Sequence, residues 1–145
     1  MVAAYTCERV IEFVETDAAG IVHHSNFFRF MESAESAWLR QLGCELHDPT
    51  SDYAWPRVRV ACSFARPARF GETLHTRLYV ARLGRSSIDY VFDFTMDELP
   101  VARGGYTVVH TRVDRANGRR RAQPLPEALR AQLRGLVDAS VEQPL

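Results

Sequence analysis

Apolar positions recur along this chain with two different periods, and the change of period marks its elements. Over residues 4–14, Tyr5, Cys7, Ile11 and Phe13 fall at odd positions, with Thr6, Glu8 and Glu12 between them. That alternation predicts a strand with one buried face. Asp17-Ala18-Ala19-Gly20 interrupts it with turn-forming residues. From Ser25 the period becomes helical. Phe27, Phe30, Met31, Ala34, Trp38 and Leu42 fall at three- and four-residue spacing and predict a helix over 26–41 with a broad apolar stripe. Ser25 or Asn26 is expected to cap it, and Gly43 to end it. A stripe this wide implies a helix enclosed by a sheet rather than laid on a surface.

Residues 45–56 carry Asp48, Pro49, Ser51 and Pro56 and predict a loop. Four strand-like runs follow, over 58–64, 74–83, 88–96 and 101–113. The last contains Gly104-Gly105, which predicts a bulge or bend. A polar turn over 114–119 closes this region. Pro124 and Pro126 precede a short helix over 127–137, and the tail after Asp138 is expected to fray. The order is β, long α, four β, short α. It predicts one α+β domain over residues 1–145, with its core at about 5–137. Short turns favour antiparallel pairing, so a curved five-stranded antiparallel sheet wrapped around one long central helix satisfies the pattern.

Composition narrows the function classes. Apolar residues make up 46% of 145 residues, enough for a real core. No apolar run approaches the ~20 residues of a membrane span, and the first residues lack a basic segment followed by an apolar core. The expectation is a cytoplasmic protein without stable membrane insertion. Formal net charge is zero, which speaks against nucleic acid as a partner. All 18 basic residues are Arg, so phosphate recognition can rest only on local clusters such as Arg82 with Arg85, or Arg119 to Arg121. Cys7, Cys44 and Cys62 are odd in number and far apart; they suit neither a disulfide framework nor a zinc site, and no metal is expected.

The stretch from Phe13 to Phe27, Phe-Val-Glu-Thr-Asp-Ala-Ala-Gly-Ile-Val-His-His-Ser-Asn-Phe, resembles the signature of hot-dog-fold acyl-CoA thioesterases. It is similar to the 4-hydroxybenzoyl-CoA thioesterase group, which includes the short acyl-CoA hydrolases associated with the Tol–Pal system. Phe64 to Leu74 resembles the group's "P-A, x, aromatic, G-D/E" connection, Leu83 to Ser87 its next turn, and Gln123 to Pro126 its "P-L-P". The likeness runs from about Tyr5 to Leu136. It implies a hot-dog fold, a homodimer or homotetramer, an acyl-CoA substrate and no cofactor, coenzyme A being part of the substrate. It places Asp17 on the catalytic carboxylate and Gly20 on the turn glycine. His24 falls where many members carry His and the 4-hydroxybenzoyl enzyme carries Tyr. Two departures bear on substrate identity: His23 stands where Tyr or Trp is commoner, and Phe13 where some members have Tyr. For the CoA phosphates the resemblance points to Arg82, Arg85, Ser86 and Ser87.

The chemistry agrees with those residues. A thiolate with a thiol pKa of about 8.5 leaves without a strong general acid. The site therefore needs a carboxylate, Asp17, to attack the carbonyl or activate water. It also needs a donor for the oxyanion, which backbone N–H groups around His24 to Asn26 can supply at a helix start. His24 reads as an orienting residue, and His23 and Ser25 as substrate-side residues at the helix entrance. Phe27, Phe28, Tyr53 and Trp55 are candidates for an acyl pocket. Glu32 is the second-choice base; it and Glu35 otherwise read as helical or interface charges, and His47, His75 and His110 as structural or exposed. Two alternatives stay open: a hot-dog acyl-CoA hydratase or dehydratase, and a non-catalytic acyl-CoA-binding protein.

Overall fold

The computed structural model describes residues 1–44 and 48–144. Strand β1 (Tyr5–Val10) is followed by a single 3-10 turn and then helix α1 (Asn26–Gln41). Next come β2 (Tyr53–Ala54), β3 (Arg57–Phe64), β4 (Thr73–Leu83), β5 (Ser87–Met96), β6 (Leu99–Val109), β7 (Thr111–Val113), β8 (Arg120–Ala122) and α2 (Glu127–Arg134). Five strands form one antiparallel sheet in the order β1-β4-β5-β6-β3, and β2, β7 and β8 form a second, small one. The predicted hot-dog arrangement is what results, with α1 enclosed by the larger sheet.

The helix lies where its period placed it. Phe27, Phe30, Met31, Ala34, Trp38 and Leu39 are buried against Leu78, Val80, Phe92, Phe94 and Tyr106. Each large side chain buried this way contributes about 1.5–3 kcal/mol. Its cap differs from expectation. Ser25 occupies the N-cap position without a side-chain bond to the helix, and the Asn26 amide instead donates to the Glu15 carbonyl at 2.8 Å. Gly43, at φ +76°, does end the helix, and Cys44 N–H closes it on Leu39 O at 2.8 Å.

Four further expectations are corrected. The first strand stops at Val10, so Phe13 and Val14 point outward and are 76% and 82% exposed. The cause is local: Glu15 accepts from the Glu12 N–H and pairs with Arg9, folding residues 13–15 into a 3-10 turn. Gly104 and Gly105 form no bulge. They stay in register with Cys62 and Ala61 on one side and Phe92 and Val91 on the other. A Cβ on Gly104 would lie 1.8 Å from Met31 Cε, since the helix sits directly on the strand there, and a Cβ on Gly105 would lie 2.6 Å from the Tyr90 carbonyl oxygen, a backbone atom that cannot swing aside. Within the loop predicted over 45–56, Tyr53–Ala54 pairs with β7, and β8 adds a strand the sequence did not suggest. The tail is not frayed: Val141 is buried against Tyr79, Ala81 and Val91, and Arg103 donates to Glu142 O at 3.2 Å.

Candidate active site

The Asp17 turn is built almost entirely from backbone bonds. Thr16 and Val22 form an antiparallel bridge. Inside it, Asp17 N–H donates to Ile21 O at 3.0 Å and Gly20 N–H to Asp17 O at 2.9 Å. Asp17 Oδ1 accepts the Ala19 N–H at 2.8 Å, which fixes the carboxylate and leaves Oδ2 for chemistry. Gly20 has φ +76° with nothing within 4 Å of a built Cβ, so it is required by backbone conformation and not by space. The turn is tied down on three sides. Val22 N–H donates to Ala68 O at 2.8 Å, His23 N–H donates to Glu15 O at 3.0 Å, and the Asn26 amide holds that same Glu15 carbonyl. Arg9, paired with Glu15, stacks 4.0 Å over the Phe30 ring and so joins this corner to the core.

Asp17 and His24 are exposed side chains on one cleft of about 440 Å³. Ile21, Phe27 and Phe64 give it an apolar wall, with Phe27 and Phe64 edge to face at 5.4 Å. Arg66 lines the same cleft. Among the candidate oxyanion donors, Asn26 N–H is spent on His23 O at 2.9 Å and Ser25 N–H reaches His23 Nδ1 at 3.3 Å. The His24 N–H has no acceptor among the described residues and is the donor left at the helix entrance.

His23 and Ser25 turn to each other: His23 Nδ1 and Ser25 Oγ lie 2.7 Å apart, and neither lines the cleft. The His23 ring stacks on the His24 ring at 4.2 Å, so it supports His24 from behind. Arg82, Arg85, Ser86 and Ser87 are not brought to Asp17 within one chain. Val10, near the Asp17 turn, pairs with Thr73 at the start of β4, whereas the basic turn lies beyond its far end. At about 3.3 Å per residue the two are roughly 35 Å apart. There Arg82 approaches Asp89 at 4.0 Å, Arg85 O accepts Leu125 N–H at 2.9 Å, Ser86 O accepts His110 N–H at 2.8 Å, and Ser87 O accepts Gly84 N–H at 2.8 Å.

Sequence reasoning underrated Glu35. It is completely buried, with Oε2 2.6 Å from Arg57 Nη2 and bonded by the Tyr106 hydroxyl. Burial pushes its carboxyl up, against the pull of Arg57 and Tyr106. Arg57 also donates to Trp55 O at 3.2 Å, so Glu35 anchors the start of the edge strand β3. The signal was present, because position 35 lies between Met31 and Leu39 on the buried stripe. Glu32 is exposed, 3.7 Å from Arg57 Nε. Tyr53 and Trp55 stack on His110 at the far end, away from Asp17. His75 faces Glu8 at 3.2 Å across β1 and β4, and His47 lies outside the described residues. The three thiols are half-buried; burial raises all three, Cys62 to about 11, which leaves them poor nucleophiles. Among the described residues no group of His, Cys, Asp and Glu is placed to hold a metal, and no helix is long and apolar enough to cross a membrane.

The sequence model of the thioesterase superfamily matches residues 19–102, more than half of the chain. This chain belongs to the thioesterase superfamily. The match begins two residues after Asp17, so the carboxylate itself rests on the turn geometry. A 1,4-dihydroxy-2-naphthoyl-CoA hydrolase from Synechococcus elongatus is 30% identical over 139 residues, covering 94% of this chain and 99% of that one. The fold is shared with a 1,4-dihydroxy-2-naphthoyl-CoA thioesterase from Synechocystis, at a TM-score of 0.83 and 24% identity over 91% of this chain and 96% of that one. A gentisyl-coenzyme A thioesterase superposes at a TM-score of 0.76 with 25% identity, covering 87% and 99%. This thioesterase is thus a thioester hydrolase on the hot-dog fold.

Proposed function

We propose that this thioesterase hydrolyses the thioester of an aromatic or short-chain acyl-CoA to the free acid and CoA, with Asp17 as nucleophile or general base. The observation that carries this is the Asp17 turn. One carboxylate oxygen is pinned by the Ala19 N–H, and both Asp17 and His24 line an apolar cleft. The unspent His24 N–H supplies the donor to the carbonyl oxygen as it gains charge. Asp17 Oδ2 attacks the carbonyl carbon, or takes the proton of the water that does; the CoA thiolate then leaves without an acid, and in the first case water opens the acyl-Asp17 anhydride to release the free acid and the carboxylate. His24, supported by the His23 ring, orients the thioester. CoA is part of the substrate, and the chemistry calls for neither metal nor redox cofactor. Relatives named for naphthoyl and gentisyl thioesters support the aromatic side of the range.

The active form is a homodimer, able to pair further into a homotetramer. Support comes from β3, an edge strand with Val58, Val60 and Phe64 more than half exposed. Antiparallel pairing of two such edges sets the Arg57 end of one copy beside the Phe64 end of the other. This arrangement carries the basic turn of Arg82, Arg85, Ser86 and Ser87 towards the other copy's cleft, where CoA phosphates can meet it. A cytoplasmic location follows from the substrate. The test is a panel of aromatic and aliphatic acyl-CoAs with release of free thiol followed by a thiol reagent. Turnover by the native protein that is lost in Asp17→Ala is expected; no thiol release from any ester, or full activity in Asp17→Ala, rejects the reading.

A further inference from the structure

The cleft at Asp17 holds a cation that the thioester chemistry above does not use. Arg66 lines it with Asp17, His24, Phe27 and Phe64. Its backbone is fixed. Ala65 N–H and Arg66 N–H both donate to Val101 O, at 2.8 and 3.1 Å, and Pro67 follows. Its guanidinium is uncommitted. Among the described residues Arg66 has no carboxylate within 4.0 Å, and what sets it apart from the other unpaired arginines is that it lines the cleft of Asp17.

We propose that Arg66 is the specificity determinant of this cleft, selecting acyl groups that carry an oxygen beside the thioester, as in an aryl acid with an ortho hydroxyl. The inference rests on the thioesterase reading above. The apolar wall suits a flat ring, because Phe27 and Phe64 present an edge-to-face pair at 5.4 Å. A plain ring offers a guanidinium its π face but no hydrogen-bond acceptor beside the thioester, and closing an apolar cleft over a cation whose donors are unmet is costly. An ortho oxygen changes this. It lies in the plane of the carbonyl oxygen and next to it, and the planar guanidinium fork can donate to both at once. Arg66 also offsets the repulsion that the Asp17 carboxylate exerts on a phenolic oxygen carrying negative charge. The acyl end is the right source for that oxygen: the CoA pyrophosphate lies the whole pantetheine arm away from the sulfur, whereas Arg66 shares the cleft where the carbonyl must sit.

The experiment compares the native protein, Arg66→Met and Arg66→Lys on 2-hydroxybenzoyl-CoA and benzoyl-CoA. It repeats the comparison with the matching N-acetylcysteamine thioesters, which keep the acyl group and lack the nucleotide. Arg66 is exposed and unpaired, so Tm is expected to stay unchanged and serves as the folding control. Arg66→Met should lower kcat/KM for the hydroxylated ester on the order of ten- to a hundredfold more than for the plain one. The same ratio is expected with the truncated thioesters, and Arg66→Lys should recover part of it. An equal fall for both acyl groups overturns the inference and leaves the thioesterase reading intact. So does an equal fall with the two CoA esters that is absent with the truncated thioesters, which would assign Arg66 to the pyrophosphate. If the native protein releases thiol from no ester, both fall together.

Discussion

Two carboxylates, one on the turn before α1 and one in the middle of that helix, are treated in opposite ways. Asp17, on the turn leading into the helix, is exposed, held by one backbone N–H and left with a free oxygen on a cleft. Glu35, midway along the helix, is fully buried and clasped by Arg57 and Tyr106. A carboxylate that attacks or deprotonates needs an open oxygen and rigid backbone, which the first has. The second spends its charge on tying helix to edge strand. A hydrolase that placed its base by residue type alone would have three candidates here, Asp17, Glu32 and Glu35; burial removes Glu35, and of the other two only Asp17 lines the apolar cleft with His24.

The largest effect expected from this contrast is on rate. Asp17→Asn keeps the shape of the turn and removes the proposed base, so kcat should fall by about a thousandfold, within the range for a lost acid–base group, with Tm unchanged. Activity assays on the purified variant decide it; residual kcat within threefold of native would break the contrast. Glu35→Ala should do the reverse. Removing the buried carboxylate strips the Tyr106 hydroxyl of its acceptor and leaves Arg57 only Glu32 and Trp55 O, which costs about 3 kcal/mol, or on the order of 10 °C in Tm for a chain this size. Calorimetry reads the stability, and the fraction still folded should hydrolyse thioesters at the native rate. A Glu35→Ala protein of native Tm but without activity would move the catalytic role to the buried carboxylate.

Part of this was legible in the chain and part was not, for physical reasons. The helix period placed α1 at its observed ends, because six apolar residues on one stripe admit one register. The Asp17 turn was legible through its motif and Gly20, a residue type chosen by backbone conformation alone. Arg66 was not, since a lone arginine in a connection carries no signal until Val22 bonds to Ala68 and brings that connection against the turn. Phe13 was misread because alternation says nothing about where a strand leaves its sheet, here set by Glu15 and Arg9. Gly104 and Gly105 were misread because a strand glycine signals either a bulge or a close approach, and only the packed helix distinguishes them. Glu35 is a related failure: a charge inside an apolar stripe looks like noise until its partner, 22 positions away, is placed beside it.

Two glycines carry the contrast to its smallest effects. Gly104→Ala forces a methyl onto Met31 Cε, and overpacking of this kind costs about 1–3 kcal/mol. It should lower Tm, spare kcat, and be relieved in the double variant Gly104→Ala with Met31→Ala, whose cavity offers the room. Gly20→Ala meets no atom at all, yet it must hold φ +76° and so costs roughly 1–2 kcal/mol of left-handed strain. That strain can relax only by opening the Asp17–Ile21 and Gly20–Asp17 bonds that aim the carboxylate. Its small loss of Tm should therefore come with a disproportionate loss of kcat, whereas the larger loss in Gly104→Ala should not. Measuring Tm and kcat on both variants separates core packing from the aim of the turn; a Gly20→Ala enzyme that loses stability but turns over at the native rate would show that the turn does not aim Asp17.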